Sequence, residues 1–299
     1  MSNPPVIIFA YNRIEALNKC VDTLAACPES EVTDLHIFVD GPRNESEAEK
    51  VRDVVRFARS VGSQYQFRNV SVEESAVNKG LACSVIEGVD YVINKYGSAI
   101  IVEDDLEVLP NFLRYMSDAL SRYEAEKEVF SICGYTNKVR IPADYMYDAY
   151  FCTRSSSWGW ATWADRWNTV DWTFERWEEW KRERAGFNSW GGSDCFSMLD
   201  ACRKGENSSW AIRFCFAQYL QKGVSLFPVR SLVTNNGFDG SGSNCRKWSR
   251  FRHEMGDSSK TEFKMPDNVT INRSLYRSAM SYHGLMIRAW SKIMYALHK

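Results

Sequence analysis

"IIVEDDLEV", residues 100–108, decides how this chain is read. An apolar run ends abruptly in Glu103, Asp104 and Asp105, and apolar residues then resume. Three adjacent carboxylates at the end of a buried strand repel one another and lose hydration, so a compensating positive charge belongs beside them. The strand they close, "SAIIV" (98–102), is the fourth of a series that begins with "PVIIFAY" (5–11), "LHIFVD" (35–40) and "YQFRNVSV" (65–72). Each is a short apolar run of buried-strand type. Between and after them lie helical patterns: "IEALNKCVDTLAAC", "GPRNESEAEKVRDVVRFARSV" with its leading turn, "LACSVIEGVDYVINKY" and "LPNFLRYMSDALSRY". Strands alternating with helices predict a parallel sheet covered on both faces, and the ligands of such sheets collect at the carboxyl ends of the strands. Asp40 and the acidic cluster both fall at such ends, so they should share one cleft.

The chain has 299 residues, enough for one large domain or two joined ones. With 44% hydrophobic and 25% charged residues it has ordinary globular composition, and a net charge of -1 gives no reason to expect a nucleic-acid partner. The N-terminal "MSNPPVIIFAYNR" lacks the features of a signal peptide, and no stretch approaches the ~20 apolar residues that span a bilayer. Nine cysteines, an odd number without a CxxC pair, argue against a disulfide framework or a zinc site. The reading is a cytoplasmic protein.

After about residue 135 the alternation stops. Aromatics crowd into "SSSWGWATWADRWNTVDWTFERWEEWKRE" (155–183), and a Gly/Asn/Ser-rich loop, "NNGFDGSGSNC", covers 235–245. The expected organisation is a first half over 1–135, a smaller lobe against the same sheet over 136–269, and a basic amphipathic helix over 270–299. That tail carries Arg273, Arg277, Arg288, Lys292 and Lys299 and no acid. Such a helix can lie in an anionic headgroup layer, at the inner face of the cytoplasmic membrane and near a lipid-linked acceptor. The alternative is a helix packed on the domain.

Hard divalent cations prefer carboxylate oxygen and share their shell with substrate phosphates. A carboxylate at a strand end therefore lets a metal bridge protein and diphosphate, whereas a bare acidic turn would simply be solvated. "PVIIFAYNR", "FVDGPRN", "VNKGLACSVIEGVDYVI" and "AIIVEDDLEVLPNFLRYM", in this order, resemble the nucleotide-sugar domain of GT-A fold glycosyltransferases. The likeness is to bacterial family 2-like enzymes and to N-acetylglucosaminyltransferase I. It is specific over residues 4–135 and looser through "SSWGWATWADRW" and "SLFPVRSLVTNNGFDGSG".

The resemblance implies an α/β GT-A fold with a mostly parallel Rossmann-like sheet, Mn²⁺ or Mg²⁺, and a nucleotide-sugar donor, UDP-N-acetylhexosamine above others. Asp105 would be the metal ligand, Asp104 would face the ribose, and Glu103 the donor sugar or the ribose side. Asp40 would bond the base, Arg13 would approach the phosphates, and Ala10, Tyr11, Asn78, Lys79 and Leu81 would line the nucleotide. Trp158, Gly159 and Trp160 would floor the donor sugar, with Trp160 or Trp163 alternatively in the core. His253 is a candidate to complete the metal shell, against a plain surface histidine.

The catalytic base is where this sequence departs from the pattern. An inverting enzyme needs a group to take the proton from the acceptor hydroxyl. The family's acid follows a tryptophan, and aligning that residue with Trp210 places Ala211 at the acid's position. Glu206 is the favoured substitute, then Asp194, with Asp239 in the glycine-rich loop a third candidate. The function expected is a metal-dependent inverting glycosyltransferase acting on a glycan or lipid-linked acceptor in cell-surface polysaccharide synthesis. The rivals are a sugar nucleotidyltransferase, which "FAYNRIEAL" disfavours by lacking a glycine-rich phosphate loop, and an inactive carbohydrate-binding protein.

Overall fold

A computed structural model describes residues 3–237, 251 and 253–297. The first strand, β1 (Val6–Ala10), is buried at every position, as a strand covered on both faces must be. It pairs in parallel with β2 (Asp34–Val39) and β4 (Ser98–Glu103), and β2 pairs in parallel with β3 (Asn69–Glu74). The crossovers are α1 (Ile14–Ala25), α2 (Glu45–Gln64) and α3 (Leu81–Tyr96). Asn44 caps α2 by accepting from the Glu47 backbone N–H, with Glu45 and Glu47 in the first turn where the helix dipole favours acids. Gly97 ends α3 in the left-handed region at φ 83°, a conformation that costs glycine little.

Beyond β4 come β5 (Leu106–Val108), α4 (Phe112–Arg122), β6 (Val129–Cys133), β7 (Ala149–Cys152) and β8 (Trp160–Trp163). Helices α5 (Ala164–Trp167), α6 (Trp177–Trp180), α7 (Arg184–Gly191), α8 (Cys195–Arg203) and α9 (Trp210–Leu220) follow, then β9 (Val224–Pro228) and β10 (Val233–Asn235). The sheet does not stop where the alternation does. Its order is β3-β2-β1-β4-β8-β6-β9-β7, with β8 and β7 antiparallel to their neighbours, so strands from both halves of the chain make one mostly parallel α/β layer. A second, two-stranded sheet pairs β10 with β5.

Helices α1, α2 and α4 cover one face, burying Leu17, Val21, Val54 and Met116 against Ile8, Ile37 and Val102. Helices α3 and α9 cover the other, over Ile7, Phe9 and Ile101. Most of the aromatic run is spent on packing. Trp160 and Trp167 line the second core, and Trp180, Phe187 and Phe216 form a third.

The tail is two helices, α10 (Arg273–Ser281) and α11 (Leu285–Leu297), which corrects the expectation of a single amphipathic one. In α10, capped by Asn272, Leu275 and Ala279 are buried against Tyr150 and Phe227, so this half is a packed element. In α11, Leu285, Met286, Trp290 and Ile293 are exposed. No helix of the described residues is long and apolar enough to cross a membrane.

Asp34, at the start of β2, accepts from Arg68 Nε and Nη2 at 2.7 Å each, from Asn69 at 2.7 Å and from the Tyr96 hydroxyl at 3.0 Å. The Arg68 guanidinium, joined by Asn69 and Tyr96, holds the carboxyl well below its ordinary 3.8. A carboxyl depressed by folding stabilises above its unfolded value and loses that stabilisation as pH falls through the folded one. Asp34→Asn should therefore cost about 2 kcal/mol at neutral pH. In urea unfolding the gap to wild type should close as pH is lowered below 3.8. A gap independent of pH would show that the charge is irrelevant.

Candidate functional site

The β4–β5 connection is a two-residue turn, Asp104–Asp105, held by Asp104 N donating to Phe9 O at 3.1 Å. Asp40 N donates to Ala10 O at 3.1 Å, so the ends of β1, β2 and β4 are laced together. The acidic cluster and Asp40 thus stand on one rim.

Asp104 and Asp105 are both buried, and Arg13, just before α1, pairs with both; its Nη1 lies 3.1 Å from Asp105 Oδ2. Part of the missing positive charge is therefore protein. The pairing is incomplete, because Asp104 Oδ2 and Asp105 Oδ1 are buried without a hydrogen-bond partner. Burial, with Asp105 and Asp104 adding to it, pushes Glu103 up to about 8. Burial also pushes Asp104 up to about 6, against the pull of Arg13.

Beside Asp105 the cluster opens into a cleft of about 440 Å³ lined by Arg13, Lys19, Lys50, Asp105, Glu107 and Gly237, among others. A side chain on Gly237 would collide with Asp105 Oδ2, so the bare backbone keeps space at the carboxylate. Hard oxygen donors with an unsatisfied buried lone pair fit a hard divalent cation. No group of three or more His, Cys, Asp or Glu that could hold a metal occurs among the described residues. A cation at Asp105 would take the rest of its shell from phosphate oxygen and water.

Asp40 has a different part from the one expected. Its Oδ1 accepts from Gly41 N at 2.9 Å and Lys79 N at 2.8 Å, and its Oδ2 from Gly80 N at 2.8 Å and Asn78 Nδ2 at 3.1 Å. Three of these bonds tie the loop before α3 to the end of β2. A groove of about 290 Å³ runs beside it, lined in part by Phe38, Ser75, Lys79 and Tyr91. Of the other nucleotide candidates, Ala10 is buried at the end of β1. The Tyr11 hydroxyl bonds Glu47 while Arg43 lies over its ring, Lys79 pairs with Glu87, and Leu81 is exposed at the start of α3.

The sugar floor is corrected. Trp160 is 2% exposed, stacked on Trp210 at 4.8 Å, with its ring turned into the core; it touches no cleft. Gly159, at φ +62°, sits in a bend before β8, with Trp158 on its other side. Trp158 packs on Tyr135 at 4.5 Å and lines a cavity of about 270 Å³ with Arg154, Ser155, Ala211, Phe251 and His283 among the others. Tyr135 in turn meets His253, whose Nε2 is 3.4 Å from Thr234 Oγ1 in β10. Strand β10 pairs with β5, and Asn236 N donates to Asp105 O at 2.9 Å. A wall of aromatic side chains and strand β10 therefore links the two clefts.

Neither described candidate for the base lines that cavity. Glu206 is exposed in the turn between α8 and α9. Asp194 is buried and ion-paired with Arg154 at 2.9 Å, which together with neighbouring His283 and Arg288 overcomes burial and holds its carboxyl below the ordinary value. Asp239 lies outside the described residues. Arg154 and His283, which line the cavity, were not singled out in the sequence, because only the folded tail brings His283 there.

A mostly parallel sheet with carboxylates at its strand ends beside an open cleft is the α/β architecture of GT-A glycosyltransferases. Residues 1–190 match the GNT-I family, and the chain belongs to that family. It is similar to an alpha-1,3-mannosyl-glycoprotein 2-beta-N-acetylglucosaminyltransferase of Arabidopsis thaliana, 27% identical over 136 residues. That match covers 43% of this chain and only 29% of the plant protein. Among solved structures, the mannosyltransferase PcManGT from Pyrobaculum calidifontis, in complex with GDP-Man and Mn²⁺, shares 10% identity. It covers 58% of this chain and 46% of its own, with a TM-score of 0.38. TarS of S. aureus shares 12%, covers 76% of this chain and 35% of its own, and has a TM-score of 0.39.

Proposed function

We propose that this protein transfers a sugar from a nucleoside diphosphate donor to a glycan hydroxyl, with a divalent cation bound at Asp105. The observation that carries this reading is the pair of buried, unpartnered carboxylate oxygens on Asp104 and Asp105, with Asp105 lining a cleft that also holds Arg13, Lys19 and Lys50. Family membership supports it, and the plant relative's name favours an N-acetylglucosamine donor.

The bound cation would offset the charge that develops on the departing diphosphate. The chain's own residues do the rest. Asp105 holds the cation site open beside Gly237, and Arg13 can swing a bidentate guanidinium from the carboxylates to phosphate oxygens. The loop tied by Asp40 shapes the nucleotide side, and Trp158 with Tyr135 offers ring faces to sugar C–H groups in the second cavity. Inversion at C1 follows from a single displacement with no protein nucleophile.

Binding without turnover is the second reading, favoured by the lining of the second cavity, where no Asp or Glu stands among the described residues. Incubation with labelled UDP-, GDP- and dTDP-sugars plus Mn²⁺ separates the two. Labelled glycoside product is expected from a UDP-sugar. Tight donor binding with no product from any donor would establish the binding reading instead.

A further inference from the structure

Gly192, between α7 and α8, has φ +115° and no side chain, and three polar groups converge on it. The point where its Cβ would stand lies 3.0 Å from His283 Cβ, 3.1 Å from Asp194 Oδ1 and 3.4 Å from Arg154 Nη1. Any larger residue would wedge them apart. His283 comes from the turn between α10 and α11, Asp194 from the entry to α8, and Arg154 from the segment after β7. The glycine is what lets these three elements meet.

Arg154 and His283 line the cavity of about 270 Å³, together with Ser155, Trp158 and Ala211. Within that lining, the other ionisable groups are unsuited to taking a proton. Arg154 is committed to Asp194 and to Gly191 O at 3.1 Å. Burial pushes the Cys152 thiol up to about 12, and it raises the Tyr135 and Tyr150 phenols too. An imidazole is the side chain that accepts a proton near neutrality.

We propose that His283 is the general base of the transfer reaction and that Asp194 is its positioning residue. The assignment rests on the glycosyl-transfer reading above. The acceptor hydroxyl gives its proton to a ring nitrogen of His283 as its oxygen forms a bond to C1 of the donor sugar. The bond from C1 to the diphosphate oxygen breaks, and its electron pair leaves with the diphosphate. The imidazolium so formed faces the Asp194 carboxylate, which stabilises it. Among the described residues, Asp194 brings His283 together with Arg154 and with Arg288 of α11, which also bonds Ser193. Arg154 balances Asp194 while the imidazole is neutral.

The test is product formation from UDP-N-acetylglucosamine and Mn²⁺, with 4-nitrophenyl monosaccharides as acceptors, run beside the thermal shift produced by UDP and Mn²⁺. His283→Ala should lose about 10²-fold or more in kcat while keeping the nucleotide shift. Added imidazole should restore part of the lost rate. Asp194→Asn should lose less and move the acid limb of the rate–pH profile to lower pH, because a neighbouring carboxylate favours the imidazolium; Asp194→Glu should reverse that move. If His283→Ala does not fold, His283→Gln carries the same expectation. Unchanged kcat in the variant, or a loss that imidazole leaves untouched, overturns the assignment while transfer itself stands. A wild type that binds UDP and Mn²⁺ but forms no product removes the transfer reading, and this assignment with it.

Discussion

Asp105→Ala should abolish the part of nucleotide binding that depends on Mn²⁺ while leaving the unliganded protein as stable as before, or more so. The carboxylate is buried, one of its oxygens has no partner, and it repels Asp104 and Glu103 in the ligand-free fold. Removing it relieves that repulsion. With ligand at about 100 times its dissociation constant, binding stabilises by about 2.7 kcal/mol, and the metal-linked share of this is what the variant forfeits. Turnover should drop by ~10²–10³-fold or more, the usual worth of one electrostatic contact to a developing charge. Arg13→Ala should act in the opposite sense on the ligand-free protein. It leaves two buried carboxylates without their cation and should lower the melting temperature. Differential scanning fluorimetry of both variants, with and without UDP and Mn²⁺, reads the stability and binding effects, and product formation from labelled donor reads the loss of turnover. Equal loss of unliganded stability in the two would mean that Asp105 is merely the partner of Arg13.

The second large effect is on folding. Trp160→Ala should destabilise by about 3–5 kcal/mol, the cost of emptying a large aromatic from a packed core. The ring lies 4.8 Å from Trp210, 5.2 Å from Phe214 and 5.8 Å from Trp167. Against a total stability of ~5–15 kcal/mol, such a loss is a large fraction of what keeps the domain folded. Trp158→Ala, two residues away, should cost far less stability and act on acceptor KM, because its ring lines the cavity. Chemical unfolding midpoints for the pair check this. If Trp160→Ala unfolds at the wild-type midpoint and loses donor affinity, Trp160 is the sugar floor after all.

That contrast shows where sequence reading reaches and where it stops. Strands β1 to β4 and helices α1 to α4 were legible because each strand is an apolar run and each helix carries its own period. The pairings of these strands with one another are all parallel, as alternation with helices requires. The carboxylate rim followed from the same logic, since Asp40 and Asp105 end strands of one parallel sheet. What alternation could not reveal was which neighbour each side chain would meet. Trp158 and Trp160 are alike in sequence, and the left-handed Gly159 separates the one that lines a cavity from the one in the core. Strands β5 and β10, three residues each, are too short to announce a pairing across the whole second half. Asp40 reads as a ligand-binding acid until the main-chain donors of the loop before α3 fill its acceptors. The tail reads as one basic amphipathic helix, yet it breaks around His283 and Gly284, and only docking of α10 brings that histidine to Gly192.

The central claim is that the Asp104–Asp105 turn binds a nucleoside diphosphate together with a divalent cation. Its most direct measurement is a thermal-shift panel of UDP, GDP, dTDP and CMP, each with Mn²⁺ and with EDTA, on the wild-type protein. The account predicts that one nucleoside diphosphate, UDP, raises the melting temperature with Mn²⁺ and does so weakly or not at all with EDTA. The same shift in EDTA for every nucleotide, or no shift from any of them, would contradict it.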